Sequence, residues 1–104
     1  MTVRDNPDQS RYEISEGNQL AAFTEYHLHA GVIAFLHTET VEGFGGRGLA
    51  SQLIRETLDD ARRRGLRVQP FCPFVRAFIK KHRDEYVDLV PEDERERFDL
   101  ATAG

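Results

Sequence analysis

The stretch Gly43-Phe44-Gly45-Gly46-Arg47-Gly48 has four glycines in six positions and runs directly into a segment of helical periodicity. Ala50, Leu53, Ile54, Thr57, Leu58 and Ala61 recur at spacings of three and four, which predicts one apolar stripe on a helix over Leu49–Arg64. Asp59 with Arg63, and Asp60 with Arg64, stand four apart as favourable ion pairs, and Gly65 is a natural C-terminal stop. Upstream, Val32–Thr40 reads as a strand, apolar on both faces at its start and polar at its end (His37-Thr38-Glu39-Thr40). A glycine turn between a strand and a helix surrounds an anion with backbone N–H groups, and the first N–H groups of the helix have no internal partner. Arg47 can add a charge-assisted bond, so the arrangement suits a pyrophosphate. The turn lacks the Gly-Lys-Ser/Thr of a P-loop. Its Gly43, Gly45 and Gly48 match the dinucleotide spacing, but the strand order and the 104-residue length do not suit a dinucleotide fold.

The remaining elements follow from turns and alternation. Residues 1–10 read as a polar lead with a loop signal at Asn6-Pro7-Asp8. Arg11–Ser15 and Gln19–Leu28 read as strands joined at Glu16-Gly17-Asn18, with Leu20, Ala22, Tyr26 and Leu28 sharing a face of the second. His29-Ala30-Gly31 turns the chain into Val32–Thr40. After the helix, Leu66–Phe71 is a fourth strand. Pro73 suits the first turn of a second helix whose apolar edge is Phe74, Val75, Phe78, Ile79 and His82. Asp84–Val90 continues that helix or forms a further turn. The implied fold class is α+β in the order β-β-β-α-β-α, with a mixed, mainly antiparallel sheet and one parallel pair across the strand–helix–strand unit. The domain expected is 1–90. Residues 91–104 form an acidic tail, expected to fray, that holds −3 of the net charge of −4.

The near-neutral body excludes a nucleic-acid footprint, and no apolar run reaches the ~20 residues of a membrane span. The N-terminus has no secretory apolar stretch, and Cys72 is the only cysteine, which points to a reducing, cytoplasmic setting. An exposed sheet edge is compatible with a monomer or a weak homodimer.

Gly45-Gly46-Arg47-Gly48-Leu49-Ala50 resembles the acyl-CoA signature of the GNAT superfamily, Gln/Arg-x-x-Gly-x-Gly/Ala, with Gly45 standing where that signature has Gln or Arg. The wider set Leu36–Val41, Gly46–Gly48, Leu58–Arg62 and Val68–Val75 is similar to the YjdJ-type minimal N-acetyltransferases, over roughly residues 3–90. The resemblance implies acetyl-CoA as cosubstrate, an amine acceptor and no metal. It implies that the pantetheine arm pairs with backbone near Glu39, Thr40 and Val41. The pyrophosphate then lies on Gly45, Gly46, Arg47, Gly48, Leu49, Ala50 and Ser51, and the thioester points toward Cys72, with Phe71 and Phe74 along the channel.

Acetyl transfer needs an unprotonated amine and a stabilised oxyanion. Glu39 and His37, two apart on one strand, share a face roughly 7 Å apart. Glu39 is the preferred general base, directly or through a water, and His37 the alternative. Cys72 falls at the N-cap of the second helix, where a thiolate is favoured and could relay the acetyl group; direct transfer is the default. The rival reading is a non-catalytic acyl-CoA-binding or protein-interaction module on the same fold.

Overall fold

A computed structural model describes residues 2–101. Five strands form one sheet in sequence order: β1 (Thr2–Asn6), β2 (Arg11–Glu16), β3 (Gln19–His29), β4 (Val32–Thr40) and β5 (Arg67–Pro70). The first four are antiparallel neighbours, and β5 lies parallel to β4 after the crossover helix α1 (Leu49–Arg63). Then come α2 (Pro73–Lys81) and the one-turn α3 (Arg83–Tyr86), with 3-10 turns at Val87–Leu89 and Glu92–Glu94. The predicted mixed sheet and crossover are both present, with one strand more than the sequence suggested.

That strand is β1, in the segment read as a loop. It has a single aliphatic residue, Val3, so no apolar alternation marks it. It joins the sheet through backbone pairing with β2, from Thr2 opposite Ser15 to Asn6 opposite Arg11. Its side chains then lock it to α1. Tyr26 donates to Asp5 at 2.6 Å, Tyr12 donates to Asp60 of α1, and Arg64 donates to the Tyr12 hydroxyl at 2.8 Å while lying 3.5 Å from Asp5. Arg63 also pairs with Asp60 rather than Asp59, and Asp59 accepts instead from Tyr86 at 2.8 Å.

Helix α1 buries Leu53, Ile54, Thr57, Leu58 and Ala61 of the predicted stripe, but at its start Leu49 is buried and Ala50 only partly so. The buried apolar ones pack with Ile14, Ile33, Phe35, Val68, Val75 and Ile79 into one core. Two bulges adjust the sheet. The β2–β3 register skips Ala21, and the β3–β4 register passes from Glu25–His37 to Tyr26–Phe35, skipping Leu36. Leu36 and Leu28, expected on apolar faces, are 50% and 40% exposed. The segment after Val90 is not frayed through Leu100: Phe98 and Leu100 are buried, with Lys80 paired to Asp99 at 2.5 Å. Charged positions mask two apolar anchors too sparse to show a period.

Burial works to raise Asp60, but the Tyr12 hydroxyl and the Arg63 and Arg64 guanidinium groups outweigh it and hold it below its ordinary value of 3.8. A carboxylate depressed in the fold contributes stability above its unfolded pKa, and that stability is lost as pH falls through the folded one. Urea-unfolding free energy should therefore be level above about pH 5 and decline below about pH 4. Asp60→Asn should cost about 1–2 kcal/mol at pH 7 and flatten part of that decline, measured by urea titrations across the pH range.

Candidate active site

The parallel pairing of β4 and β5 covers Val32–Arg67 to Phe35–Pro70 and stops there. Pro70 has no N–H with which to extend the ladder, and Pro73 starts α2 three residues on. The Cys72 N–H closes the junction by donating to the Phe35 carbonyl at 2.8 Å. Arg76 of α2 donates to the Pro70 and Phe71 carbonyls at 3.3 and 3.0 Å. β4 itself continues to Thr40, still paired with β3. Leu36–Thr40 therefore presents a strand edge with no β5 partner. The Val41 N–H is bound to the Ala21 carbonyl on the β3 side at 2.8 Å. Alternation along the strand thus turns the backbone groups of Thr38 and Thr40 toward the open edge. Of the three backbone positions expected to pair with an extended ligand, Thr40 faces the open edge, while Glu39 and Val41 are turned toward β3.

Directly opposed residues share a face of the sheet. Thr38 lies opposite Thr24, and its hydroxyl is 2.9 Å from the Thr24 hydroxyl and 3.3 Å from the Cys72 thiol. This is the face covered by the helices. Cys72 is the N-cap of α2, as the proline predicted, but it is 2% exposed. His37 and Glu39 lie opposite Glu25 and Phe23 on the other face, with His37 Nε2 3.2 Å from Glu39 Oε1 and both side chains more than half exposed. The Phe23 ring lies edge-on to His37 at 6.5 Å. The predicted acid–base pair is therefore brought together, and Cys72 is set apart from it, through the sheet. Thr38 is the polar residue on the thiol's side that sequence reasoning did not select. Its signal was its place between His37 and Glu39 in the polar end of the strand, which puts it on the opposite face from both.

The glycine turn leads from β4 to α1 at the same end of the sheet. Gly48 is the N-cap in the left-handed region, φ 73°, with no side-chain cap, and Gly46 is left-handed as well, φ 76°. The first helical bond runs from the Gln52 N–H to the Gly48 carbonyl at 3.1 Å. This leaves the N–H groups of Leu49, Ala50 and Ser51 without intrahelical partners, at the positive end of the α1 dipole. The exposed turn and these donors fit a phosphate group. Arg47 points back to Glu16 at 2.8 Å and lies over the Phe44 ring at 5.7 Å. Gly45 has no left-handed φ and open space where a Cβ would stand. Phe71 and Phe74 are both exposed, with Phe71 edge-on to Phe98 at 5.1 Å. A distinct hollow of about 360 Å³ lies at the far edge, lined by Val3, Tyr12, Glu56 and Asp60 among others. Among the described residues no cluster of three or more His, Cys, Asp or Glu could hold a metal ion, and no helix is long and apolar enough to cross a membrane.

A strand end, a splay and an uncapped helix N-terminus at the carboxyl end of a parallel pair form the crevice where open sheets bind ligands. The family model described as GCN5-related N-acetyl-transferase matches residues 11–89. The solution structure of a GCN5-like putative N-acetyltransferase from Staphylococcus aureus superposes with a TM-score of 0.65 at 22% identity, covering 86% of this chain and 87% of that one. No curated protein sequence matches the chain significantly.

The turn's geometry separates its glycines. Gly48→Ala puts a Cβ on a left-handed residue and should cost about 1–2 kcal/mol. Gly45→Ala, with ordinary φ and free space, should be neutral or slightly stabilising. Chemical denaturation of the two variants side by side checks the contrast.

Proposed function

Because the chain belongs to the GCN5-related N-acetyl-transferase family, we propose that it moves an acetyl group from acetyl-CoA to a primary amine, a protein lysine or a small amine, by direct transfer. Within the family we place it among the minimal, YjdJ-type members. The observation that supports this reading best is the meeting, at one end of the sheet, of an unpaired β4 edge and the uncapped N-terminus of α1. One is suited to an extended amide-bearing arm and the other to the phosphates at its end.

In this reading Gly46–Ser51 would hold the pyrophosphate through backbone N–H groups, and the outward backbone groups of Thr38 and Thr40 would pair with the pantetheine arm. Phe71 and Phe74 would flank it. Arg47 reaches a phosphate by exchanging its pairing with Glu16, an exposed ion pair of small net worth. Bound acetyl-CoA supplies an activated acyl group: the amine nitrogen bonds to the acyl carbon as the bond from that carbon to sulfur breaks.

The chain's own contribution is proton handling and positioning. Glu39 stands at the end of the splayed strand on the solvent-facing side, where its carboxylate takes a proton from the acceptor ammonium directly or through one water. His37, 3.2 Å away, fixes the orientation of that carboxylate. The outward N–H groups of β4 are fixed donors available to a carbonyl oxygen that gains charge. Burial of Cys72 against Thr38, on the face away from Glu39, favours the direct route over a thiol relay.

Glu39→Gln should lower kcat by about 100-fold while leaving the Kd for coenzyme A unchanged. Cys72→Ser should retain turnover within about tenfold and show no burst of acetyl-enzyme. Steady-state kinetics with acetyl-CoA and a panel of lysine peptides and polyamines, with calorimetry for coenzyme A, decides both. Tight coenzyme A binding with no transfer to any amine would mean a binding module instead.

A further inference from the structure

We propose that the C-terminal segment Pro91–Ala101, which lies beyond the family-matched residues, is a strap that positions the end of β5 and so sets the width of the splay, with Arg97 and Phe98 as positioning residues acting through Phe71. The role at the splay rests on the acetyl-transfer reading above; the strap itself rests on contacts.

Those contacts converge on the last residues of β5. Gln69 donates to Glu94 at 2.9 Å, which fixes the start of the segment to the strand. The Phe98 ring meets the Phe71 ring edge-on, with centroids 5.1 Å apart at 78°. The Arg97 guanidinium lies 5.2 Å from the Phe71 ring centroid and 5.1 Å from that of Phe98, covering both. Arg95 donates to the Val90 carbonyl at 3.0 Å and its own carbonyl accepts from the Leu100 N–H at 2.7 Å, which folds the turn inward. Val90, Phe98 and Leu100 are buried. Asp99 is held below its ordinary value by Lys80, 2.5 Å away on α2, with a further contribution from the charge of Arg76. The strap thus grips β5 at Gln69, the residue just after it at Phe71, and α2 at Lys80.

The strands of the splay need such a grip. Past Phe35, β5 makes no ladder bond to β4, and its end is tied to the sheet by the Cys72 N–H to the Phe35 carbonyl. Arg76 anchors the carbonyl side of Pro70 and Phe71. Arg97 and Phe98 anchor the ring side. Freed from them, the Phe71–Cys72 segment is held only by Arg76 and the Cys72 N–H bond to Phe35, so its local opening, which uncovers the 2% exposed Cys72 thiol, becomes more frequent.

The test uses the full-length protein with Arg97→Ala and Phe98→Leu. Arg97 has a side chain 56% exposed, so its truncation leaves the core intact, and leucine keeps apolar bulk at 98 while losing the aromatic edge. Two readouts are taken with melting temperature as control: the rate of Cys72 alkylation by iodoacetamide, and the Kd for coenzyme A. Each variant should speed alkylation about two- to fivefold and weaken coenzyme A by a similar factor, with Arg97→Lys restoring only part because an ammonium lacks the planar stack. Unchanged alkylation in both variants overturns the strap. If the wild-type protein binds no coenzyme A, the acetyl-transfer reading fails and alkylation alone still decides the strap.

Discussion

The hydrogen bond from the Cys72 N–H to the Phe35 carbonyl marks the point where the sheet divides. Before it, β5 follows β4 residue for residue. After it, two prolines govern the chain: Pro70 cannot extend the ladder, and Pro73 is pre-set for the first turn of a helix. β4 has no such interruption and stays bound to β3 through Thr40. The exposed edge is therefore a supported strand rather than a loop, and its outward peptide groups keep fixed directions. Backbone donors and acceptors held this way seek partners, which is what makes a sheet edge a receptor for an extended ligand.

The crossover helix completes the site from the other side. Its buried stripe fixes α1 against the sheet, and that in turn fixes where its uncapped N-terminus opens. At the opposite border, the Tyr12, Tyr26, Asp5, Asp60 and Arg64 network fastens β1 and β2 to the end of the same helix. The molecule is tied at one border of the sheet and parted at the other. Elements that must admit a ligand are commonly those with the fewest local bonds.

Much of this was legible in the residues. The limits of β4, the stripe of α1, the αL stop at Gly65 and the N-cap position of Cys72 all rest on local rules of period, turn and proline geometry, and the structure has each of them. What escaped depends on distant partners. β1 is polar along its length and is recognisable only once β2 lies beside it. Phe98 and Leu100 sit among charges, and their burial depends on Phe71, Gln69 and Lys80, far away in sequence. The spacing of His37 and Glu39 correctly put them side by side. It could not tell which face they share, because that depends on the extra residue at Leu36.

Leu36 has no cross-strand partner, and its side chain is half in solvent, so little about its own packing would seem to matter. Its presence nevertheless acts as a phase shift in the strand. Ile33 and Phe35 on one side of it, and Thr38 and Thr40 on the other, fall on the helix-covered face only because one residue is counted twice against β3. Were Leu36 instead paired as an ordinary ladder residue, with no bulge, the carboxylate and imidazole would turn inward toward the core and the threonines outward. Loss of Leu36 would leave those faces as they are, because Phe35–Tyr26 and His37–Glu25 would become consecutive pairs, whereas loss of Thr38 would carry Glu39 to the covered face: the tolerance of β4 to a missing residue is concentrated at its bulge.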